Sequence, residues 1–406
     1  MQFSLCFVAF GSILNGRKII EWSPDETTFS SATLAVLSAL LISPAYAVDK
    51  SPDSVPEATA KVEELANGLD HPWSLAFLPN QQGALITERS GQLRLWQADK
   101  GLSKPLSGVP KVWVAGQAGL WDVRLAPDFA TSRRVYLSFA QQGDKGQANA
   151  ALGYGRLAED GSGLQDFKTI FVQQPALSSG INLGGRLAFD PQGNIFMSTG
   201  DNNQRMAAQR LDSLKGKILR LTPEGGIPQD NPFVNKPQAK GEIWTFGNRN
   251  PQGLAINPWS HALWETEHGP RGGDEVNLPG AGKNYGWPLA TYGINYSGQP
   301  IPEAQGTRLK GAEDPLYYWP VSPALSGIAF YNSAKFPQWD HSLFVGALAG
   351  KSLIRLTLLG NKITSEERLL SERNERIREV QLGEDGYIYL LTDESNGKLL
   401  KVAPGA

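Results

Sequence analysis

Five segments of this chain concentrate glycine, asparagine and arginine in a way that suits ligand binding. They are 116–120 (GQAGL), 184–187 (GGRL), 247–253 (GNRNPQG), 268–275 (HGPRGGDE) and 283–288 (KNYGWP). Arg376 and Arg378 stand two apart in a strand-like run, so they point to one side together. Arginine presents forked donors that match carboxylates in two-point contacts. Glycine and proline let backbone carbonyls turn outward, and carbonyl oxygens are calcium ligands. The set therefore suits a compact polyanion beside a hard cation. Any single segment could equally be a turn; all five together are harder to explain that way.

The elements that must position these segments repeat along the chain. An alternating apolar strand, a turn with Pro, Asp, Asn or Gly, and a second β-branched or aromatic strand recur over 75–87, 123–139, 187–198, 254–265, 328–345 and 380–391. Period-2 alternation broken by Gly or Pro is a hairpin signal. At spacings of roughly 50 to 70 residues, each copy matches one four-stranded blade. A blade cannot bury both faces alone, so the copies should close into a ring. The expected fold is all-β, a six-bladed β-propeller, with an irregular β-sandwich as the alternative. Helical periodicity is weak, with one short piece expected near 207–214. Propellers bind ligands where loops converge over the central channel, which is where the five segments fall.

The 406 residues are 41% hydrophobic and 19% charged, an ordinary globular composition, and Gly 44 with Pro 27 favours short strands and tight turns. A formal charge of −2 argues against a nucleic-acid partner. Residues 34–42 (LAVLSALLI) are too few to span a bilayer, and Ala45-Tyr46-Ala47 fits a signal cleavage site. We expect a signal peptide over 1–47, a linker over 48–60 and the propeller over 61–406. Cys6 is the only cysteine and lies in that leader, so the exported chain would carry no disulfide and no thiolate metal site. No later segment is apolar for long enough to form a transmembrane span.

The strings GNRNPQGLA, EHGPRGGDE, GKNYGWPLATYGINYSG and LTDESNGKLLKV, in this order, resemble the soluble pyrroloquinoline-quinone (PQQ) dependent sugar dehydrogenases of the glucose/sorbosone type, especially the periplasmic aldose sugar dehydrogenases. The similarity runs from about Gly68 to Val402. It implies a periplasmic oxidoreductase that oxidises the anomeric carbon of aldose sugars to lactones with PQQ and calcium, passing electrons to an acceptor the sequence does not name. It further implies that Gln117, Arg249, Asn250, Tyr296, Arg376 and Arg378 contact PQQ, as does the stretch Ala347, Leu348, Ala349. The carbonyls of Gly269 and Pro270 would hold the calcium that bridges protein and cofactor. Glu275 and the Tyr285 carbonyl resemble ligands of a second, structural calcium. Trp319 resembles an aromatic on which the sugar stacks.

Two positions depart from the family pattern. The general base of the family is a histidine four residues before the arginine of Gly-Gly-Arg-Leu, and here that position is Asn182, preceded by Ile181. The four histidines, His71, His261, His268 and His341, lie in different repeats, and His268 falls in the calcium-carbonyl turn. Neutral asparagine can orient the anomeric hydroxyl but cannot deprotonate it, and loss of a general base costs about 10²–10⁴ in rate. Relatives also place a lysine on PQQ where this chain has Ala349; Lys351, two residues on, either reaches back along the same face or leaves that contact unfilled. The expected activity is therefore a weakened aldose dehydrogenase, with Asn182 and Arg249 at the chemistry. The alternative is a non-catalytic propeller that binds PQQ, a sugar or a partner protein. A channel-calcium lactonase would need an axial cage of Glu, Asn and Asp that the sequence does not offer.

Overall fold

The computed structural model describes residues 49–143 and 148–405; the expected signal peptide and Cys6 lie outside the described residues. The six repeats become six sheets. Their innermost strands are Pro72–Phe77, Leu120–Leu125, Gly184–Phe189, Pro251–Ile256, Leu325–Tyr331 and Ile377–Leu382, numbered here as blades 1 to 6. Each innermost strand packs on its two neighbours, and the last packs on the first, so the ring is closed.

Each blade continues outward as a meander. Blade 3, for example, adds Ile195–Thr199, Lys217–Leu221 and Ile243–Phe246. The strands are apolar because both faces of a blade are covered by neighbours. Leu187, Met197 and Leu219 of blade 3 share one buried layer with Tyr136 and Leu152 of blade 2. Burying each such side chain contributes roughly 1.5–3 kcal/mol. Ala60–Leu69 closes the ring by pairing with Gly397–Pro404, Ala60 opposite Pro404, so blade 6 is built from distant parts of the chain.

The segment expected as a linker is instead bound to the ring. Asp49–Lys50 adds a parallel strand beside Tyr317–Trp319 of blade 4, and Glu57–Ala58 adds one beside Lys362–Leu369 of blade 5. The helical piece expected near 207–214 is a 3-10 turn over Arg205–Gln209, and Arg210 is already extended. Lys217 Nζ holds this turn by donating to the Ala207 and Ala208 carbonyls, each at 2.9 Å, and burial pushes its pKa down to about 7.

Every innermost strand slips register near its first residues: between Pro72 and Ser74, Leu120 and Val123, Gly184 and Leu187, Pro251 and Gly253, Leu325 and Ile328, and Ile377 and Glu379. A bulge re-aims a side chain. Here the bulges bring Trp73, Asp122, Arg186, Gln252 and Arg378 together from five blades. Arg186 donates to the Glu379 carboxylate and, over 2.8 Å, to the Gln252 carbonyl, and its guanidinium lies 4.1 Å from the centre of the Trp73 ring. Arg124 pairs with Asp122 at 3.3 Å and with Glu379 at 3.7 Å. Arg186, Asp122 and Glu379 are all buried, so two arginines and two carboxylates fill the middle of the bore.

Candidate active site

Strands alternate direction within a blade, so innermost strands begin, and second strands end, at the same end of the ring. The candidate residues sit on those loops. Gln117 precedes blade 2, Asn182 blade 3, Arg249 and Asn250 blade 4, and Arg376 blade 6, while Gly269 and Pro270 follow the second strand of blade 4, Leu263–Glu267.

Hydrogen bonds tie these loops to one another. The Gln117 amide oxygen accepts the Asn182 backbone N–H at 2.8 Å. Asn182 has a left-handed backbone, φ +53°, which asparagine tolerates well. Its side-chain amide nitrogen donates to Asp201 at 3.0 Å and its backbone carbonyl accepts the Asn202 N–H at 3.0 Å, so the side-chain oxygen Oδ1 is left as the free end. Asp201 also accepts the Asn203 N–H at 2.9 Å and the Trp287 indole N–H at 2.8 Å. Asn250 Oδ1 accepts from the Gly184 N–H at 3.0 Å and from the Gln252 side-chain amide at 3.1 Å. Arg249 is held through its backbone N–H by Glu267 at 2.7 Å, and its guanidinium donates to the carbonyls of His268 at 3.0 Å and Gly269 at 2.7 Å.

Arg376 and Arg378 converge as expected, and a carboxylate missed in the sequence holds them. Asp393 accepts from Arg378 at 2.8 Å, from Arg376 at 3.4 Å and from His71 Nδ1 at 2.9 Å. Burial alone would raise its pKa, but Arg378 foremost, with His71 and Arg376, holds it well below the usual carboxylate range. Arg378 also donates to Gln252 Oε1 at 3.0 Å, yet its Nε is buried without a partner. Two guanidiniums against one carboxylate, with a donor to spare, fit an anionic ligand such as PQQ.

The metal candidates fit calcium on similar grounds. Among the described residues no three acidic, histidine or cysteine side chains converge closely enough to hold a metal by themselves. Carbonyls would therefore have to complete any site, as at Gly269, Pro270 and Tyr285, and a carbonyl that accepts one hydrogen bond keeps a second lone pair. Behind them Glu265, Glu267, Glu275 and Asn277 share one face of blade 4, with Glu267 opposite Glu275 and Glu265 opposite Asn277. Glu265 Oε1 and Asn277 Oδ1 are buried acceptors without a partner. Burial pushes Glu275 up to about 8 and Glu265 and Glu267 well above the ordinary range. Tyr285 lies beside them, its phenol donating to the Leu278 carbonyl.

A pH dependence follows. Between about pH 4.5 and about pH 8 the metal-free fold still holds protons on these carboxyls that the unfolded chain has already released. Its stability is therefore expected to fall as pH rises through that window, and excess calcium to remove the slope. Thermal midpoints at both ends of the window, with chelator and with calcium, check this; a slope that calcium leaves untouched would refute it.

Several of the expected contacts look different in three dimensions. Trp319 is 1% exposed and donates its indole N–H to Glu366 at 3.0 Å inside the layer between blades 4 and 5, so no ring face is free for a sugar. Trp319→Ala is expected to cost about 3–5 kcal/mol of stability, measured by urea unfolding; a raised sugar KM with unchanged stability would be the opposite result. Ala347 and Leu348 are buried, and only the Leu348 carbonyl reaches the site, accepting from Arg376 at 3.4 Å. Ala349 to Lys351 form a turn, with Ala349 and Gly350 both bonded to the Pro323 carbonyl, so Lys351 does not share a strand face with Ala349. Tyr296, 69% exposed, stands on the loop whose Ile294 exchanges backbone hydrogen bonds with Arg271 at 2.9 and 3.1 Å, next to the turn that carries Gly269 and Pro270. His268 is no substitute base, because its ring is bonded to the Leu325 carbonyl and burial, with Arg249 and Arg378, pushes its pKa down to about 3.

The chain and its ring match known proteins over most of their length. The model of the glucose/sorbosone dehydrogenase family matches residues 69–401. The chain belongs to the glucose/sorbosone dehydrogenase family. It is 60% identical over 347 residues to the aldose sugar dehydrogenase YliI of Escherichia coli K12, covering 86% of this chain and 94% of that protein. The crystal structure of the soluble Escherichia coli aldose sugar dehydrogenase in its apo form superposes with a TM-score of 0.84 over 85% of this chain and 100% of that one. The PQQ-bound aldose sugar dehydrogenase of Streptomyces coelicolor is 29% identical, with a TM-score of 0.70 over 86% of this chain and 100% of that one. Among the described residues of this dehydrogenase-family chain, no helix is long and apolar enough to cross a membrane.

Proposed function

We propose that the chain is an exported, periplasmic aldose dehydrogenase dependent on PQQ and calcium, working below the rate its fold permits. The observation that carries this reading is the clamp of Arg376, Arg378 and Asp393, joined to Asn250 of the Arg249–Asn250 pair through Gln252, which accepts from Arg378 at 3.0 Å and donates to Asn250 at 3.1 Å. The named relatives support the same substrate class and cofactor.

Oxidation of an aldose to its lactone removes a hydride from the anomeric carbon and a proton from the hydroxyl on it. The quinone, when bound, supplies the two-electron sink for that hydride, with calcium polarising it. Arg376 and Arg378 would bind the cofactor's carboxylates. Arg249, aimed by Glu267 and the two carbonyls, would stabilise negative charge near the acceptor end, an electrostatic contribution that costs no reorganisation. Gln117 and Asp201 would orient Asn182, whose side-chain Oδ1 accepts the hydrogen bond of the anomeric hydroxyl but takes up no proton. That proton must then leave to water, which accounts for a slow reaction.

Titration of metal-stripped protein with calcium and PQQ, then glucose, tests this through the cofactor's absorption. Binding followed by slow reduction supports it. Binding without reduction favours the second reading, a PQQ-binding propeller without turnover, for which Asn182 is the specific observation. Absence of binding defeats both.

A further inference from the structure

His71 belongs to no motif that marks the family reading, yet it is built into the clamp. It lies immediately before the first strand of blade 1, on a left-handed backbone, φ +46°. Its N–H donates to the Glu394 carbonyl at 2.9 Å and its own carbonyl accepts from Arg89 at 3.1 Å. Histidine is among the residues that tolerate such backbone, and these two hydrogen bonds hold it there. The side chain is 32% exposed, and its Nδ1 bonds the same Asp393 carboxylate that gathers Arg376 and Arg378.

We infer that His71 is a third arm of the anion clamp and grips a carboxylate of the bound ligand through Nε2, taking up a proton as it does so. This rests on the PQQ reading of the site. The tautomer decides the chemistry. Asp393 can only accept, so Nδ1 carries a hydrogen. In the neutral ring Nε2 is then a lone pair, which repels a carboxylate; in the charged ring it is a donor. Binding an anion there therefore favours the charged ring, and the linkage is reciprocal.

The charged groups around His71 favour that state on one side and oppose it on the other. Asp393, from blade 6, lies directly on the ring, while Arg376 and Arg378 lie beyond it on the same carboxylate. From blade 1, Glu88 accepts the neighbouring Asp70 N–H at 2.7 Å and is itself paired with Arg94, and Arg89 approaches through its backbone. The ligand's carboxylate would supply the partner that Nε2 lacks.

The test compares the full calcium-loaded chain with His71→Asn, which suits left-handed backbone and keeps a donor for Asp393, and with His71→Gln as a second variant. Binding of PQQ, and separately of citrate as a plain tricarboxylate, is measured by tryptophan fluorescence near pH 5.5 and near pH 8, the range in which histidine changes charge. Thermal unfolding confirms that the variants fold. The wild type should bind at least about tenfold more tightly at the lower pH, one decade being one proton's worth of linkage over a pH unit. Both variants should lose that difference and match the wild type only at the higher pH. Variants that keep the wild-type pH dependence overturn the inference while leaving the PQQ reading intact. If citrate shows the His71-dependent effect and PQQ does not bind, the PQQ reading fails and the clamp stands. If neither probe binds the wild type, both fail.

Discussion

Asn182→His is expected to raise kcat for aldose oxidation by about 10²–10⁴-fold, the usual worth of a general base, with little change in cofactor affinity. The seat for an imidazole is already present. A histidine Nδ1 would stand near the place of the Asn182 amide, which now donates to Asp201 at 3.0 Å. Asp201 would fix the tautomer, leaving Nε2 as an acceptor toward the sugar, as a carboxylate orients a catalytic histidine elsewhere. Asp201 is itself held by the Asn203 N–H and the Trp287 indole, so it acts as a positioning residue. Single-turnover reduction of bound cofactor, with its pH profile, measures the effect. A new ionisation near neutral pH should accompany the gain. A variant that folds and binds PQQ, yet reduces it no faster, would show that the missing base is not what limits this chain.

Arg378→Met is expected to weaken PQQ binding by roughly 10²-fold or more. Hydrogen bonds to charged groups contribute about 1.5–3 kcal/mol each, and this guanidinium is buried with its Nε unpartnered. Its loss also leaves Asp393 with Arg376 and His71 alone. Arg378→Lys keeps the charge without the fork, so an intermediate affinity is expected. Equilibrium titration separates the three proteins. Equal affinity in wild type and Arg378→Met would remove the clamp from the binding site, whereas equal loss in both variants would assign its value to geometry rather than charge.

The ring was legible because hairpins declare themselves locally: strand, turn and strand lie within about a dozen residues, and six copies leave few alternatives. What escaped depends on contacts between distant segments. Asp49–Lys50 and Glu57–Ala58 are too short and polar to show alternation, and gain their partners only from blades 4 and 5. Trp319 reads as an exposed aromatic until Glu366, 47 residues later, comes to meet its indole. Asp201 is 19 residues from Asn182 and reaches it only when the first hairpin of blade 3 folds back. The bulges hide for another reason. A period-2 pattern assigns alternate residues to opposite faces, and one extra residue reverses the assignment from that point on. Arg186 and Gln252 are therefore visible as parts of glycine-rich strings, but their meeting on the axis is not.

Asp122, Glu379 and Arg186 are buried, with Arg124 19% exposed beside them, and this set makes the bore a cup rather than a tunnel. If the proposed reaction runs at the end of the bore that carries Asn182 and Arg249, sugar, product and electron acceptor would share one mouth. Oxidation and re-oxidation would then be expected to alternate as two half-reactions, which parallel double-reciprocal plots of rate against sugar at several acceptor concentrations would reveal. A partner that takes the electrons would need to recognise only the rim.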